Sequence, residues 1–434
     1  MLTSLHLKQF KAWADTGSIA LKPITLLLGT NSSGKSSLIQ SLLLLKQTVE
    51  SPDRTIHLNL GGDDRNDVFN FGDFSSILTQ GSTDRQFEIH FTFSRSSTDE
   101  RITAGAFDAV YGQTANGAVV NQLLRLSEKS DGRVFRVQRR DKGAFAIYVD
   151  SEATTRGKSR DYAPERSIAF ASKAVTLLGE DGSVVQDISL AIRRELEGLV
   201  YLGPLRKKPQ RDYPWNKGQP GIIEPDGKQA IDVLLASALL QGPDRNRIIE
   251  KVSHWLKRMD LADQLQVRQV GRSTRYEVVI DSQSVAANLR DVGIGISQVL
   301  PVLTVAFFAP PGSTVILEEP EIHLHPLAQS VLAEFFAEVS RERQIQFVIE
   351  THSEHLFRRM QTLVAREELS TEDCELYFVE KEQGQAQLRR LELDAYGRVT
   401  NWPERFFGDA LAETREQTRL TIHRLKGQRA KSQS

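Results

Sequence analysis

Two hydrophobic patterns alternate along the chain, and each is typical of a different kind of element. Residues 4–10 alternate apolar and polar side chains, and residues 86–149 repeat such strand-like runs between turn signals. Further on, short and fully apolar runs are separated by longer helical patterns. This second region predicts a helix at 296–308, a strand at 314–319, a helix at 326–341, a strand at 345–350 and a helix at 353–366. Strands that alternate with helices predict an α/β fold built on a parallel sheet.

A glycine-rich segment lies between an apolar strand predicted at 24–29 and a leucine-rich helix predicted from Ser36. The match to G-x-x-x-x-G-K-[ST] consists of Gly29, Thr30, Asn31, Ser32, Ser33, Gly34, Lys35 and Ser36, with Ser37 following. Glycines let the backbone wrap closely around a phosphate, and the helix N-terminus supplies positive potential. Lys35 is predicted to reach the β- and γ-phosphates, and the Ser36 hydroxyl to bind Mg²⁺. The alternative, a chance glycine-rich turn, does not account for the strand before it and the helix after it.

Acidic and imidazole side chains follow the next two predicted strands. The strand from Thr314 ends in Glu318 and Glu319, where one acid could hold Mg²⁺ and the next could polarise an attacking water. We assign Glu318 the metal role and Glu319 the general-base role; the alternative is a solvated acidic turn. His352 follows the later strand and could reach a γ-phosphate or its attacking water, although a lone histidine is more often structural.

A polar, glycine-punctuated turn at 288–298 opens an apolar helix. Glycines at a helix N-terminus make a second anion-binding surface, here with Gly293, Gly295, Ser297 and Gln298. One phosphate chain rarely needs two such sites. Two chains facing each other would use both, each completing its neighbour's nucleotide site. The alternative is a simple glycine-rich helix start.

Composition narrows the class of protein. The 434 residues carry 55 Lys and Arg against 56 Asp and Glu, so any nucleic acid must bind a local patch rather than a globally basic surface. The single cysteine, Cys374, excludes an intrachain disulfide and fits a reducing compartment. The longest apolar stretch, 299–311, is too short to span a bilayer, and no secretory signal is visible at the start. We therefore expect a soluble cytoplasmic protein with no membrane partner.

Four motifs in this order resemble the ABC-type ATPases of the SMC, RecF and OLD kind. They read GTNSSGKSS, DVGIGISQVLPVL, VILEEPEIHLHP and FVIETHSEHLFRR. With LHLKQFKAW, YLGPLRKKPQRDY and the C-terminal ELYFVE and RLELDAYGRVTNWPERFF, they resemble more narrowly the prokaryotic AAA-family ATPases of antiphage systems such as Septu and PARIS. The resemblance implies an ABC-type head that binds ATP and Mg²⁺.

The resemblance also implies a role for each matching residue. Lys35 and Ser36 would be the phosphate-loop pair, and Glu318 the metal-site acid, where Asp is commoner. Glu319 would be the catalytic glutamate and His352 the switch histidine. The signature that meets the partner's γ-phosphate would comprise Gly293, Gly295, Ser297 and Gln298, which departs from the LSGGQ of transporters. A Q-loop glutamine is not identifiable; residues 70–74 occupy about the right place.

The predicted domain organisation is a split head with an inserted lid. Residues 1–85 form its N-terminal lobe, 86–285 a mixed α+β insertion, 286–410 its C-terminal lobe, and 411–434 a basic tail. The insertion shows no sustained heptads, so we expect no coiled coil of the SMC type.

Two classes of function compete for such a head. In one, ATP-driven dimerisation is a switch or scaffold that controls a separate effector, a nuclease or toxin. In the other, the chain is itself an OLD-like nuclease with a Toprim domain. Glu380 imitates the first Toprim acid, but no D-x-D follows it, which favours a strand that closes the ATPase sheet. A RecF-like DNA-repair clamp remains an alternative.

Two basic clusters suggest DNA as a further partner. The first consists of Arg133, Arg136, Arg139, Arg140 and Lys142, and the second of Arg206, Lys207, Lys208 and Arg211. Either could follow a phosphate backbone. A solvated face is an equal alternative for the first cluster, because Asp131 and Asp141 flank it.

Overall fold

The computed structural model describes residues 1–62, 67–95, 101–129, 132–154, 158–242, 245–402 and 416–421. Helices and strands are numbered separately in chain order. The helices are α1 (Lys35–Glu50), α2 (Ser172–Leu178), α3 (Glu180–Glu197), α4 (Ala230–Leu239), α5 (Arg247–Arg258), α6 (Ile294–Phe308), α7 (Pro326–Arg343) and α8 (Glu354–Ala365). Among the residues described, no helix combines the length and the apolar character that crossing a membrane requires.

A predominantly parallel sheet forms the centre of the head. Its strands are β4 (Ile24–Gly29), β11 (Leu199–Leu202), β16 (Thr314–Glu318), β17 (Gln346–Glu350), β18 (Cys374–Glu382) and β19 (Gln385–Arg390). Their order is β11-β16-β17-β4-β18-β19, and only β19 runs antiparallel to its neighbour. The fully apolar runs of the sequence become the inner strands because both of their faces are covered. The predicted α/β class is confirmed.

Alternate residues of the central strands enter two different cores. In β4, Leu26 and Leu28 pack in the core that contains α6 and α7, whereas Leu27 packs in the core that contains α1. In β16, Leu317 likewise packs in the core with α6 and α7, and Ile316 packs in the core with α1. Successive side chains of a strand point to opposite faces, so helices on both faces produce this division.

A large antiparallel sheet covers the α1 side of the head. Its strands are β1 (Leu2–Phe10), β2 (Trp13–Asp15), β3 (Ile19–Ala20), β5 (Gln86–Ser94), β6 (Ala104–Gln113), β7 (Val119–Glu128), β8 (Val134–Arg139), β9 (Phe145–Val149) and β10 (Glu152–Ala153). The order is β10-β9-β8-β7-β6-β5-β1-β2, and β3 pairs with β1. The alternating strands predicted at 4–10 and 86–149 are therefore present. Because β1 pairs with β5, the predicted domain boundary after residue 85 falls inside one sheet.

A third sheet consists of β12 (Tyr213–Pro214), β13 (Gln264–Gln269), β14 (Arg275–Ser282) and β15 (Val285–Asn288). The sequence LQVRQVGRSTRYEVVI predicts a hairpin, and β13 and β14 form it. The strand-like run ELEGLVYLGPLR predicts a strand from residue 195. This prediction is partly wrong, because residues 195–197 end α3 and Gly198 caps that helix. Only β11 remains extended, and it pairs with β16, so a strand from the predicted insertion belongs to the central sheet.

Candidate functional site

The phosphate loop, the acidic turn and His352 lie at one edge of the central sheet. Strands β11, β16, β17 and β4 are parallel, so the segments that follow them meet where their carboxyl ends meet. Glu318 and Glu350 are paired in register across β16 and β17. The charge of Lys35 acts on the pKa of Glu318 and His352, so the structure brings these three predicted residues close together. The charge of Lys35 also acts on the pKa of Glu350, which was not predicted.

The phosphate loop has the backbone that close phosphate contact requires. Gly29 has φ 146°, and a Cβ there would lie 2.1 Å from the Val379 carbonyl oxygen, so only glycine fits beside β18. Gly34, at φ 115°, precedes α1, whose first turn contains no acidic residue. The indole N–H of buried Trp13 donates to the Gly34 carbonyl at 3.1 Å and fixes the loop from the antiparallel sheet. The N-terminus of α1 is therefore presented to an anion.

Lys35 and Ser33 carry hydrogen-bonding capacity that is only partly used. The Lys35 ammonium is 3% exposed and donates to the carbonyls of Thr30 at 2.9 Å and Gly29 at 3.2 Å. Burial lowers the pKa of Lys35, and the neighbouring Glu350 opposes that shift. The Ser33 hydroxyl is buried without a hydrogen-bond partner among the described residues. A phosphate chain supplies the acceptors that such donors need.

Glu350 belongs to this site and was missed in the sequence. Its carboxylate accepts a 2.9 Å hydrogen bond from the Ser36 hydroxyl, and its other oxygen lies 3.6 Å from the Lys35 ammonium. A signal was present, since Glu350 follows the apolar residues Phe347–Ile349 and stands one residue before Thr351. Placing the ends of β16 and β17 side by side would have set Glu350 beside Glu318.

Negative charge accumulates around Lys35. Burial, and after it the charge of Glu350, raises the pKa of Glu318 to about 7. Burial also raises the pKa of Glu350. Carboxylate and hydroxyl oxygens are the ligands that Mg²⁺ prefers, and Ser36, Glu318 and Glu350 provide them. In the described part of the chain, no group of three or more His, Cys, Asp and Glu side chains could hold a metal ion by itself, so a Mg²⁺ here would take phosphate oxygens and water as further ligands.

Tyr201 and Arg206 hold the acidic turn. Tyr201 was assigned no role from the sequence, and Arg206 was placed in the second basic cluster rather than in this site. The Tyr201 hydroxyl, on β11, donates to a Glu318 carboxylate oxygen at 3.0 Å. Arg206 donates from one nitrogen to the backbone carbonyls of Glu318 at 2.9 Å and Glu319 at 3.2 Å. Both residues stand more than one hundred positions before the turn in the chain, so periodicity could not connect them with it.

Glu319 and His352 face each other across the mouth of the site. Their side chains approach to 4.0 Å, and each is about one-third exposed. The backbone N–H of His352 donates to the Glu321 carboxylate at 2.8 Å, which ties the histidine segment to the acidic turn. Burial and the charge of Lys35 lower the pKa of His352, so its imidazole is neutral near pH 7.

The glycine turn before α6 lies apart from these groups. Gly293 precedes the first residue of α6, and a Cβ on it would meet nothing within 4 Å. A Cβ on Gly295 would lie 2.8 Å from the His323 carbonyl oxygen, so α6 packs on the turn beyond the acidic residues. Ser297 and Gln298 are buried, and the Ser297 hydroxyl donates to the carbonyl of Ile294. In the described part of the chain, no hydrogen bond or ion pair joins residues 293–298 to the phosphate loop.

The parallel sheet and its phosphate loop define a nucleotide-binding domain of the AAA class. Residues 24–358 match the family described as "AAA domain, putative AbiEii toxin, Type IV TA system", and the chain belongs to this family. Residues 369–417 match a second family, described as a protein of unknown function, DUF3696. No curated protein matches the chain.

Solved structures of SMC heads are similar to the chain at low identity. A SMC head bound to the C-terminal winged-helix domain of ScpA has 14% identity and a TM-score of 0.47, with 91% of this chain and 98% of that chain covered. The SMC head domain from Thermotoga maritima has 13% identity and a TM-score of 0.40, covering 90% and 99%. A SMC head with an extended coiled coil, bound to the C-terminal domain of ScpA derived from Pyrococcus furiosus, has 13% identity and a TM-score of 0.46, covering 90% and 96%.

Proposed function

We propose that this protein is a Mg²⁺-dependent ATPase whose ATP-bound heads pair, and that pairing is a switch controlling a separate effector in antiphage defence. The observation that carries the ATPase part is the convergence of Lys35, Ser36, Glu318, Glu319 and His352 at one sheet edge. These residue types, in this arrangement, provide phosphate binding, a cation site and a base.

Each side chain has a defined task in the proposed reaction. Lys35 exchanges the carbonyls of its own loop for β- and γ-phosphate oxygens. Ser36 and Glu318 hold Mg²⁺, which when bound offsets the negative charge of the triphosphate. Glu319 would orient the attacking water and accept its proton, and neutral His352, 4.0 Å from Glu319, would contact the γ-phosphate. Slow hydrolysis then ends the paired state.

The surface around the site fits a second copy of this chain as the occupant. Gly293 is open, and apolar side chains next to site segments are exposed, with Ile294 at 51%, Leu327 at 50% and Leu205 at 85%. A glycine helix start that does not contact its own phosphate loop is available for another chain's nucleotide. Pairing would bury these apolar groups and bring the signature residues Gly293, Gly295, Ser297 and Gln298 to the partner's γ-phosphate.

The test of the switch is Glu319→Gln, which keeps the side chain's shape and removes the base. We expect slower ATP hydrolysis and an ATP-dependent dimer that accumulates in sedimentation velocity, because ATP binding stabilises the pair by mass action. Lys35→Ala should lose ATP binding and stay unpaired with ATP. Unchanged turnover in Glu319→Gln would show that the base is misassigned.

The defence role rests on the motif resemblance and is tested in cells. Phage plating on bacteria that express the protein with its neighbouring reading frame should fall, and Lys35→Ala should restore it. A neighbouring nuclease or toxin gene favours the switch, whereas neighbouring recombination genes favour the RecF-like clamp. The self-contained nuclease remains disfavoured, since Glu380 lies within β18 and pairs with Arg389 at 3.1 Å.

DNA is proposed as a ligand of the first basic cluster only. Arg139, Arg140 and Lys142 line a groove of about 780 Å³ with Lys158, while Arg136 stacks on Tyr148 at 4.2 Å. Arg133 is instead paired with Asp181, and Asp131 lies outside the described residues. DNA is not proposed for the second cluster, because Arg206 is buried and Arg211 pairs with Asp291, which leaves Lys207 and Lys208 as the other exposed members. Most of the predicted tail at 411–434 is also outside the described residues.

The groove makes a salt-dependent prediction. Duplex DNA should bind less tightly as salt rises, and exchanging both Arg139 and Lys142 for Glu should flatten that dependence. Lys257→Glu, at an exposed position of α5, is the control. Binding that does not weaken with rising salt would exclude this ligand.

A further inference from the structure

We propose that Arg206 is a positioning residue of the ATPase: it holds the backbone of the Glu318–Glu319 turn so that the Glu319 carboxylate faces the attacking water. The inference rests on the proposed function and deepens it. Arg206 lies in the loop that follows β11, and β11 is the outermost parallel strand of the central sheet.

The turn has a backbone conformation that needs support. Glu319 adopts φ 45°, in the left-handed region that costs a residue with a side chain on the order of 1–3 kcal/mol. Its N–H donates to the Glu350 carbonyl at 2.8 Å, and its own carbonyl accepts from Arg206 at 3.2 Å. The same Arg206 nitrogen donates to the carbonyl of Glu318 at 2.9 Å. Both peptide groups of the proposed general base are thus held from outside the turn.

Arg206 is itself rigidly presented. Its side chain is buried, with the residue 7% exposed, and the loop backbone is fixed on both sides of it. Gly203 N–H donates to the Pro225 carbonyl and Lys207 N–H to the Asp226 carbonyl, both at 2.9 Å. A buried group on a pinned loop can set the position of another group, whereas a mobile surface arginine could not.

The buried charge of Arg206 indicates that this side chain also acts electrostatically on the nearby acids, in addition to its hydrogen bonds with the turn. Its Nε and Nη1 groups are buried without hydrogen-bond partners, and no carboxylate of the described residues forms an ion pair with it. Burial lowers the pKa of Arg206 to about 10, so the guanidinium remains charged at neutral pH. Burying a cation in this way is costly unless it acts on nearby negative charge. Glu321 and Glu319 are the acids that attract it most strongly.

The proposal is tested with Arg206→Lys against a matched arginine elsewhere. Lysine keeps the charge but lacks the guanidinium's fixed fork of donors. We expect kcat to fall about 10- to 100-fold, since small misplacements of a catalytic group have effects of this size, while the Kd for ATP changes less than about 3-fold. Arg343 also donates to two backbone carbonyls, those of Ala306 and Ala309, at the C-terminal end of α6. Arg343→Lys should lower Tm without changing kcat.

A double-mutant cycle with Glu319→Gln separates positioning from general stability. If Arg206 acts through Glu319, adding Arg206→Lys to Glu319→Gln should cause no further loss of kcat, because coupled residues are not additive. A full and additive loss would overturn the proposal, and so would wild-type kcat in a folded Arg206→Lys. If Arg206→Lys does not fold, Arg206→Gln is measured in the same cycle. Absence of ATP hydrolysis in the wild-type protein would instead overturn the proposed function.

Discussion

The Ser36 hydroxyl donates a 2.9 Å hydrogen bond to the carboxylate of Glu350, which also lies 3.6 Å from the Lys35 ammonium. One acid thus contacts both phosphate-loop side chains that are proposed to receive Mg²⁺ and phosphate. It partly neutralises Lys35 while no phosphate is bound. ATP must therefore compete with Glu350 for Lys35, and a cation must share Ser36 with it.

This relationship predicts that Glu350→Gln changes the Mg²⁺ dependence of ATP binding. The neutral amide repels the triphosphate less and frees Lys35, so ATP should bind about 3- to 10-fold more tightly in EDTA, on the order of 1 kcal/mol. With Mg²⁺ the gain should shrink, because a carboxylate beside the cation is lost. Fluorescent-ATP titrations with and without Mg²⁺ measure both values.

The matched control for that titration is Glu354→Gln. Glu354 lies in the first turn of α8, where it pairs with Arg358 at the surface. It should leave ATP affinity unchanged in both conditions. Equal affinities of Glu350→Gln and wild type in EDTA would show that Glu350 does not compete with ATP.

The raised pKa of Glu318 predicts how stability changes with pH. With its pKa raised to about 7 from an ordinary value near 4.5, the folded protein holds this proton over a range where the unfolded chain has released it. The folded state then binds more protons, so the free energy of unfolding falls as pH rises from about 4.5 to about 7. Glu318→Gln should remove up to about 3 kcal/mol of that fall.

Urea unfolding at pH 5 and pH 8, in EDTA and without nucleotide, measures this difference. The wild-type midpoint should drop more between the two values than the midpoint of Glu318→Gln. Other titrating groups contribute to both proteins and largely cancel in the comparison. If the unfolding midpoints of wild type and Glu318→Gln change in parallel with pH, the pKa of Glu318 is not raised in the folded protein.

The two signature glycines predict opposite outcomes for the same substitution. Gly293→Ala adds a methyl group to open space, so stability should change by less than about 0.5 kcal/mol. In the Glu319→Gln background it should still weaken ATP-dependent pairing if a partner's nucleotide approaches this face. Gly295→Ala should lower Tm, because its Cβ would meet the His323 carbonyl at 2.8 Å. Sedimentation and thermal unfolding separate the two effects, and normal pairing in Gly293→Ala would remove this glycine from the interface.

The sequence predicts those site residues that directly follow recognisable strands, but not those that are placed by the pairing of distant strands. Lys35, Glu318 and His352 each follow a recognisable apolar strand, and the carboxyl ends of parallel strands meet, so their proximity follows from the pattern alone. Tyr201 and Arg206 lie in a part of the chain predicted as an insertion. Their role depends on β11 pairing with β16 and on side-chain directions, and neither property leaves a periodic signal.

The same reasoning explains why the domain boundary predicted after residue 85 falls inside one sheet. A change from loop to strand-like composition near residue 85 is visible in the sequence, but the partner of the next strand is not. Strand β5 pairs with β1 across more than eighty residues, so the sheet joins two segments that composition separates. Local patterns predict elements, whereas pairing between distant strands is decided by the whole core.

The Gln346 side chain, on β17 of the central sheet, hydrogen-bonds to β1 of the antiparallel sheet, so its replacement tests how strongly the two sheets are held together. This side chain, in a residue 1% exposed, accepts from the Leu2 N–H at 3.0 Å and donates to the Leu2 carbonyl at 2.7 Å and the Lys22 carbonyl at 3.1 Å. Gln346→Leu preserves the volume but removes this partner from the N–H and the carbonyl of buried Leu2, at about 1–3 kcal/mol each. The Lys22 carbonyl keeps a hydrogen bond from the Thr25 hydroxyl at 3.4 Å.

We therefore expect Gln346→Leu to lower the free energy of unfolding by several kcal/mol, measured by denaturant titration, since more than one buried group loses its partner. Gln385→Leu, at an exposed position of β19, is the control and should change it by less than about 0.5 kcal/mol. Because β1 leads to Trp13, which contacts the phosphate loop, the loss should also weaken ATP binding by the folded protein. A Gln346→Leu protein as stable as the control would show that the two sheets are held together without this amide.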